Sequence, residues 1–165
     1  MTSLESRLQR LEDLEAIRAL DAEYCRVLDD GDWAALVALF TDDGEFTGLS
    51  HARGHEQLLT FFSGLADGGL TAFWHYVTNL EIDLDGDTAH VRSFLWQPCV
   101  LHGVPHAAAG RYIDTVVRVG GRWRYRSKRV VFHYFAPLAD GWDDGRFTLD
   151  AARKTHPERT QETTG

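Results

Sequence analysis

A histidine and an aspartate, far apart in the chain, are the residues whose types and settings best suit acid–base chemistry. His75 lies in the stretch W-H-Y-V-T-N-L, residues 74–80, whose β-branched and aromatic residues predict a partly buried strand. A buried imidazole needs a hydrogen-bond partner. Asp29 ends a long helical pattern, and its carboxylate could accept the imidazole N–H, which would fix the tautomer and make the ring a general base. The alternative is a core histidine without a chemical role.

Strand alternation predicts which side chains share the face of His75. Val77 and Asn79 follow it at intervals of two and are expected on the same face. In the last predicted strand, alternation places five residues on one face: Tyr125, Ser127, Arg129, Val131 and His133. Of these, Arg129 is a cation and His133 is a second imidazole. A base, an amide and a cation are therefore expected to converge on one pocket, with His133 also able to reach it.

The run G-R-W-R-Y-R-S-K-R, residues 121–129, is the main cluster of basic residues. Its alternation places Arg122, Arg124, Arg126 and Lys128 on the face opposite Arg129. The sequence predicts that these four form a solvated basic surface.

Two histidine pairs have the i, i+4 spacing that can bind zinc on a helix, namely His51 with His55 and His102 with His106. Glycine or proline lies within each pair and argues against a regular helix there, and no third ligand follows. The sequence therefore predicts no metal site.

Length and composition indicate one globular domain. The 165 residues are 44% hydrophobic, and we expect a single domain over 1–150 followed by a polar, flexible tail over 151–165. The net charge of -8 argues against nucleic acid or an anionic membrane as a partner. Cys25 and Cys99 form no disulfide framework, and no targeting segment is evident, so a reduced, cytoplasmic protein is expected.

The first half of the chain has helical periodicity. Apolar residues recur every three or four positions over 4–27, and this helix is expected to stop at Asp30, where a glycine follows. Asp32 is a candidate N-cap for a second helix over 33–40, and a third helix is predicted over 54–65. Asp30 and Asp32 are otherwise ordinary turn residues.

The second half changes to the alternating period of strands. Two glycine-bearing turns join four long strands into hairpins. The predicted strands, with a short one ahead of them, cover 45–47, 73–84, 88–99, 110–119 and 122–135. The fold class is therefore α+β, a cone-shaped barrel in which a curved antiparallel sheet is covered on one face by the N-terminal helices, with a pocket between them.

Aromatic residues make up 12% of the chain, and some of them are expected to line the pocket, which favours a hydrophobic substrate. The candidates are Phe40, Phe46, Phe61, Phe73 and Trp96. The outer face of the sheet would expose a large apolar patch on a monomer, which predicts a homo-oligomer. Its expected members are Trp74, Leu80, Ile82, Phe94 and Trp96.

Four runs of the sequence carry a family pattern: A-I-R-A-L-D-A-E-Y-C-R-V-L-D, F-T-D-D-G-E-F, W-H-Y-V-T-N-L, and W-R-Y-R-S-K-R followed by H-Y-F-A-P-L-A-D-G. Together they resemble the SnoaL-like branch of the nuclear transport factor 2-like superfamily over about Leu11 to Gly141. Within that branch the sequence is most similar to the hexachlorocyclohexane dehydrochlorinase, with scytalone and bile-acid dehydratases as relatives.

The resemblance implies a cone-shaped barrel with a deep hydrophobic pocket and no metal or cofactor. It assigns His75 as the base, Asp29 as the residue that orients it, and Arg129 as an aid to the leaving group. Tyr24 stands where the dehydrochlorinase has a lysine and matches a tyrosine of the bile-acid dehydratase. Together with Phe73, which replaces a cysteine, it favours oxygen chemistry over halide elimination, with the phenol as acid or hydrogen-bond donor.

The resemblance thus predicts a lyase of the dehydratase type that acts on a polycyclic, polyketide-like or terpenoid small molecule. An isomerase or cyclase that uses the same pocket is the alternative enzyme, because all three reactions begin with the same proton removal. A small-molecule-binding module without catalysis is the alternative from another class. The resemblance also implies a homo-oligomer, either a trimer or a dimer.

Overall fold

A long helix opens the fold. In the computed structural model, which describes residues 3–141, helix α1 spans Leu4–Asp29, and the Ser3 hydroxyl caps it by accepting the N–H of Ser6. Its apolar stripe is buried from Ile17 onward, where the helix packs on the sheet. The chain then turns at Gly31, whose φ of 73° is the left-handed conformation that glycine adopts readily. The predicted end of this helix is confirmed.

Two shorter helices follow. Helix α2 spans Trp33–Ala38, and Asp32 caps it as predicted, since its Oδ1 atom accepts the N–H of Ala35 at 3.0 Å. It ends earlier than predicted because the next residues enter the sheet. Helix α3 spans Gly54–Ser63. No helix in residues 3–141 is long and apolar enough to cross a membrane.

A seven-stranded sheet forms the rest of the domain. Its strands are β1 (Phe40–Thr47), β2 (His51–Arg53), β3 (Leu70–Phe73), β4 (Tyr76–Asp85), β5 (Thr88–Leu101), β6 (Val104–Val119) and β7 (Arg122–Pro137). The order is β2-β1-β7-β6-β5-β3, with β4 also paired to β5, and within residues 3–141 only β1 and β7 run parallel. A short 3-10 helix, Leu138–Asp140, follows β7.

The sheet curls around α1, which contacts both β4 and β7 although these strands are not neighbours. The main core lies between the helices and the concave face of the sheet. The predicted α+β half-barrel is therefore confirmed. The predicted polar tail over 151–165 lies outside the described residues.

One predicted strand is divided in two. The sequence predicts a continuous strand over 73–84, but β3 ends at Phe73 and β4 begins at Tyr76, and both pair with β5. Between them the N–H of Trp74 still bonds to a β5 carbonyl, whereas the N–H of His75 turns away to a side chain of α1. This break matters because it sets the position of the candidate base.

Bulges exchange the faces of two strands. In β7, Tyr125 pairs with Val116 and Ser127 pairs with Thr115, so Arg126 is an extra residue and the inward side changes after it. In β4 the register shifts between Thr78 and Glu81. Beyond each bulge, the inward and outward faces predicted from simple alternation are therefore wrong. For example, Leu80 and Ile82, expected on the outer face, pack against the main core.

A third irregularity in the sheet provides a stability prediction. The β6–β7 register shifts beside Gly110, where a Cβ would lie 2.4 Å from the Val131 carbonyl oxygen. Replacing Gly110 with alanine is expected to lower the free energy of unfolding by about 1 to 3 kcal/mol, because the backbones of both strands must move apart. Urea unfolding measures this. Gly68→Ala, whose added Cβ meets nothing closer than 3.3 Å, is the control, and an equal loss in both variants would contradict the clash.

Candidate active site

The structure brings His75 and Asp29 into contact. The Nδ1 atom of His75 lies 2.6 Å from Oδ1 of Asp29, and the backbone N–H of His75 donates to Oδ2 at 2.9 Å. The two side chains are only 5% and 20% exposed. Both carboxylate oxygens of Asp29, the last residue of α1, thus bond to His75, which lies between β3 and β4. These two bonds stabilise the break between the strands.

The chemistry of the contact fixes the imidazole tautomer. An ionised carboxylate only accepts hydrogen bonds, so the proton of the neutral ring lies on Nδ1. Nε2 then keeps its lone pair and can accept a proton. The Phe73 ring packs edge-on against the imidazole at 5.6 Å between centroids and restricts its rotation. This arrangement suits a general base.

His75 faces a partly open, largely apolar cavity between the helices and the sheet. Its walls come from α1, α3, β1 and the inner face of β5–β7, and phenylalanines predominate among them. Of the predicted substrate-binding residues, Phe46, Phe61 and Phe73 line it. The space that a water molecule can enter is about 30 Å³, room for roughly two waters at about 10 to 15 Å³ each.

Tyr24 also lines this cavity and is 1% exposed. Burial raises the pKa of its phenol well above the ordinary value, although a hydrogen bond with Tyr112 acts in the opposite direction. The hydroxyl therefore stays protonated across the physiological range. Tyr24 is thus suited to donate a hydrogen bond and unsuited to act as a base.

A buried lysine lies behind the tyrosines. The Nζ atom of Lys128 is 4.3 Å from the ring centroid of Tyr24 and 4.0 Å from that of Tyr112. It also contacts Asp114 at 2.7 Å and Asp21 at 3.5 Å, and the lysine side chain is fully buried. The predicted solvated face is therefore wrong for Lys128, because the bulge at Arg126 turns it inward.

The charges of this cluster depend on one another. Burial raises the pKa of Asp114 to about 6, and Lys128 opposes that effect. Burial alone would lower the pKa of Lys128, but the charges of Asp114 and Asp21 outweigh it and raise the pKa above its ordinary value. The ammonium group is therefore a fixed positive charge under the floor of the cavity.

Arg129 is not in the cavity. It lies on the exposed face of β7, opposite Ile113 of β6, and the same bulge that buries Lys128 accounts for the error. His133 is likewise exposed, and Val131 pairs with the exposed Arg111. The predicted placement of a cation and a second imidazole in the pocket is therefore wrong.

The other predicted binding residues, Phe40, Val77, Asn79 and Trp96, do not line the cavity. Phe40 is fully buried beneath it against Tyr24, and Val77 packs on the core. Asn79 is exposed at the β4 bulge with a φ of 55°. Trp96 packs on the outer face of the sheet in a small second cluster.

Two polar residues of the site, Gln97 and Tyr112, line the cavity but were not predicted from the sequence. Alternation along two long hairpin strands could have identified them, because both follow apolar inward positions. The described part of the chain contains no group of three or more His, Cys, Asp or Glu side chains that could hold a metal ion. The pairs His51/His55 and His102/His106 therefore remain without further ligands there.

Comparisons with known proteins agree with this architecture. The sequence pattern of the family described as the SnoaL-like domain matches residues 9–129. None of the curated proteins compared matches the chain. Many solved structures do, and three of them illustrate the range.

The first is the hexachlorocyclohexane dehydrochlorinase LinA-type3 from Novosphingobium barchaimii LL02, with 24% identity, a TM-score of 0.74, and 83% of this chain and 97% of that chain covered. The second is a candidate scytalone dehydratase from Novosphingobium aromaticivorans, with 24% identity, a TM-score of 0.71, and coverage of 78% and 89%. The third, an NTF2-like protein with a cystatin-like fold from the same species, has 28% identity, a TM-score of 0.64, and coverage of 94% and 97%.

At these identities the first two structures show the fold alone. The family pattern, however, matches most of the chain, and Asp29 and His75 both lie within the matched range. The chain therefore belongs to the SnoaL-like domain family of the nuclear transport factor 2-like superfamily.

Proposed function

We propose that this protein is a cofactor-independent acid–base enzyme, a lyase of the dehydratase type that acts on a hydrophobic small molecule. The observation that carries the proposal is the contact between His75 and Asp29 at the wall of an apolar cavity. Family membership supports a small-molecule enzyme, and two of the similar structures are named after elimination reactions.

The proposed mechanism begins with proton removal. Nε2 of His75 takes a proton from an acidic C–H bond, and Asp29 stabilises the imidazolium that forms. The electron pair of that bond forms a carbon–carbon double bond while the bond to the leaving oxygen breaks. Tyr24 donates a hydrogen bond to the oxygen on which negative charge develops. His75 then returns its proton, so that hydroxide departs as water.

The size of the cavity limits the substrate. A polycyclic, polyketide-like or terpenoid molecule exceeds the free space of about 30 Å³, so it must displace lining side chains or extend through the open side of the cavity. Phe61 and Leu65 are the lining residues that could move, because they lie on or just after α3 and are only partly buried. We therefore propose a hydrophobic substrate that displaces these side chains.

An elimination assay tests the proposed function. A panel of hydrophobic β-hydroxyketones is offered to the enzyme, and the conjugated enone that forms on loss of water is followed by its ultraviolet absorbance. His75-dependent enone formation is the expected result. Isomerisation or cyclisation would instead give His75-dependent products that retain the oxygen. Equal, slow conversion by wild type and a His75 variant would favour the binding-module alternative.

We also propose that the outer face of the sheet is covered by a second copy of the chain, in a dimer or trimer. Tyr76, Phe94 and Ile113 lie diagonally to one another on the outer face of three neighbouring strands and are 57%, 46% and 38% exposed. The guanidinium of Arg111 lies over the Phe94 ring at 4.9 Å. Trp74, 52% exposed, extends the patch, whereas Leu80 and Ile82 do not belong to it. Such an apolar area is unusual on a monomer.

Phe94→Glu is expected to convert the oligomer into a monomer, because it places a charge in the centre of the apolar patch. Light scattering coupled to size-exclusion chromatography measures the mass. Thr60→Glu, on the exposed face of α3, is the matched control and should leave the mass unchanged. A monomeric wild type at high concentration would refute the proposed assembly.

A further inference from the structure

Gln97 is a polar group of the cavity that the mechanism above leaves unused. It lies on the inner face of β5, is 6% exposed, and lines the same cavity as His75 and Tyr24. No hydrogen bond within residues 3–141 involves its side-chain amide, and neither amide atom is among the fully enclosed polar atoms that lack a partner, so the amide keeps access to the space of the cavity. Its neighbours on that face of the strand, Leu95 and Cys99, are apolar and buried.

An amide that faces an apolar cavity and is bonded by no protein group within residues 3–141 is energetically unfavourable unless a molecule in the cavity bonds it. An apolar side chain of the same length would fill the position at lower cost, as the residues on either side do. The amide is therefore best explained by a partner that enters the cavity. An amide carries two N–H donors and one carbonyl acceptor, so it can bond a ketone, an enol or an alcohol.

The charge of the cavity restricts that partner to a neutral group. Among residues 3–141, none of those that line the cavity is a lysine or an arginine. Arg129 lies outside, and the ammonium group of Lys128 is shielded by the Tyr24 and Tyr112 rings and already paired with carboxylates. A substrate carboxylate would enter this apolar space without a counter-ion, which is strongly unfavourable.

We propose that Gln97 is a substrate-binding residue that hydrogen-bonds a neutral oxygen of the substrate, so that the enzyme selects ketones, enols and alcohols and rejects carboxylates and hydrocarbons. The inference rests on the proposed function of the same cavity. Gln97 and Tyr24 are then two neutral donors available to the oxygen of an enolising substrate, in the place of the arginine that the sequence predicts.

Binding of three matched aromatic probes tests the inference. Phenol is a neutral ring with one hydroxyl group, toluene has a methyl group in its place, and benzoate has a carboxylate. Calorimetry at neutral pH measures their dissociation constants for wild type, for Gln97→Met, and for the control Gln9→Met on the exposed face of α1. Methionine keeps the length of the side chain but removes its amide.

We expect phenol to bind wild type more tightly than toluene, and benzoate to bind at least tenfold more weakly than phenol. Gln97→Met should weaken phenol binding by roughly three- to tenfold, the effect of one neutral hydrogen bond, without weakening toluene. Gln9→Met should change neither. Absence of phenol binding to wild type, equal losses for phenol and toluene, or benzoate binding as tight as phenol would overturn the inference.

These measurements separate the inference from the proposed function, since binding of phenol requires no proton transfer. If Gln97→Met selectively weakens phenol while no His75-dependent turnover is found, the binding role stands and the enzyme proposal fails. If turnover is found but Gln97→Met leaves phenol binding unchanged, the enzyme proposal stands and the role of Gln97 fails.

Discussion

Replacing His75 with alanine is expected to lower kcat on the true substrate by roughly a hundred- to ten-thousandfold while the fold is retained. The variant loses the group that removes the proton, and no other base lines the cavity in the described part of the chain. The fold should survive because Asp29 keeps its second hydrogen bond, which comes from the backbone N–H of residue 75. Steady-state kinetics and circular dichroism measure the two outcomes.

The matched control for this variant is His90→Ala. His90 is exposed on β5, outside the cavity, and its removal should leave kcat within a factor of about two. A His75→Ala enzyme that retains its rate would show that the imidazole is a structural residue satisfied by Asp29. If circular dichroism shows the variant to be unfolded, the contact between the His75 ring and Asp29 is needed to hold the sheet to α1 and does more than orient the imidazole.

The sequence was sufficient to predict the helices, the hairpins and the His75–Asp29 contact. Each depends on a local pattern: an apolar stripe, a capping Asp32, a glycine turn. Local chemistry offered the contact as one of two alternatives, because a carboxylate at a helix end and an imidazole in an apolar strand each need a partner, and the family resemblance favoured it over a core histidine without a chemical role. The role of Tyr24 was predicted from the family resemblance alone, because a tyrosine precedes the aspartate at the same spacing in the bile-acid dehydratase.

The bulges were not predictable from the sequence. A single extra residue leaves the composition and the alternation of β7 almost unchanged, yet it exchanges the inward and outward faces beyond it. That is why Arg129 and His133 are outside and Lys128 is inside. Asn79 is displaced by the same effect in β4.

A signal for the buried lysine was nevertheless present. Asp114 lies between Tyr112 and Val116 at alternating positions of β6, and such a position faces the core. A carboxyl group there must stay protonated or be paired with a cation or other hydrogen-bond donors. The sequence therefore favoured an inward donor, such as a basic residue, on a neighbouring strand, although it did not indicate which one.

Replacing Lys128 with methionine is expected to lower the free energy of unfolding by about 3 to 5 kcal/mol, because two carboxylates lose their buried counter-ion. Asp114 should be destabilised more than Asp21. Its Oδ1 atom already lacks a hydrogen-bond partner within the described residues, and Lys128 is the side chain paired with its Oδ2 atom. Urea unfolding at neutral pH measures the loss. Arg126→Met, at an exposed position of the same strand, is the control and should change stability by less than about 0.5 kcal/mol.

The double variant Lys128→Met with Asp114→Asn distinguishes loss of charge balance from loss of packing. Removing the carboxylate charge as well should restore a large part of the lost stability, because a buried pair replaced by neutral groups is often no less stable than the pair itself. If the double variant is as unstable as the single one, the lysine stabilises the fold through its cation–π and packing contacts with the tyrosine rings and not through its pairing with Asp114.

The instability of Lys128→Met should grow with pH. Burial raises the pKa of Asp114 to about 6 in the folded protein, above its ordinary value of 3.8, and the lysine opposes that rise. A carboxyl group with a raised folded-state pKa favours folding while it is protonated, and that contribution is lost as pH rises through the folded-state value. Without Lys128 the pKa rises further, so the variant should lose more stability between pH 5 and pH 8 than wild type does. Equal pH dependence in the two proteins would show that Lys128 does not set the charge of Asp114, and that the ammonium group under the tyrosines is not balanced by that carboxylate.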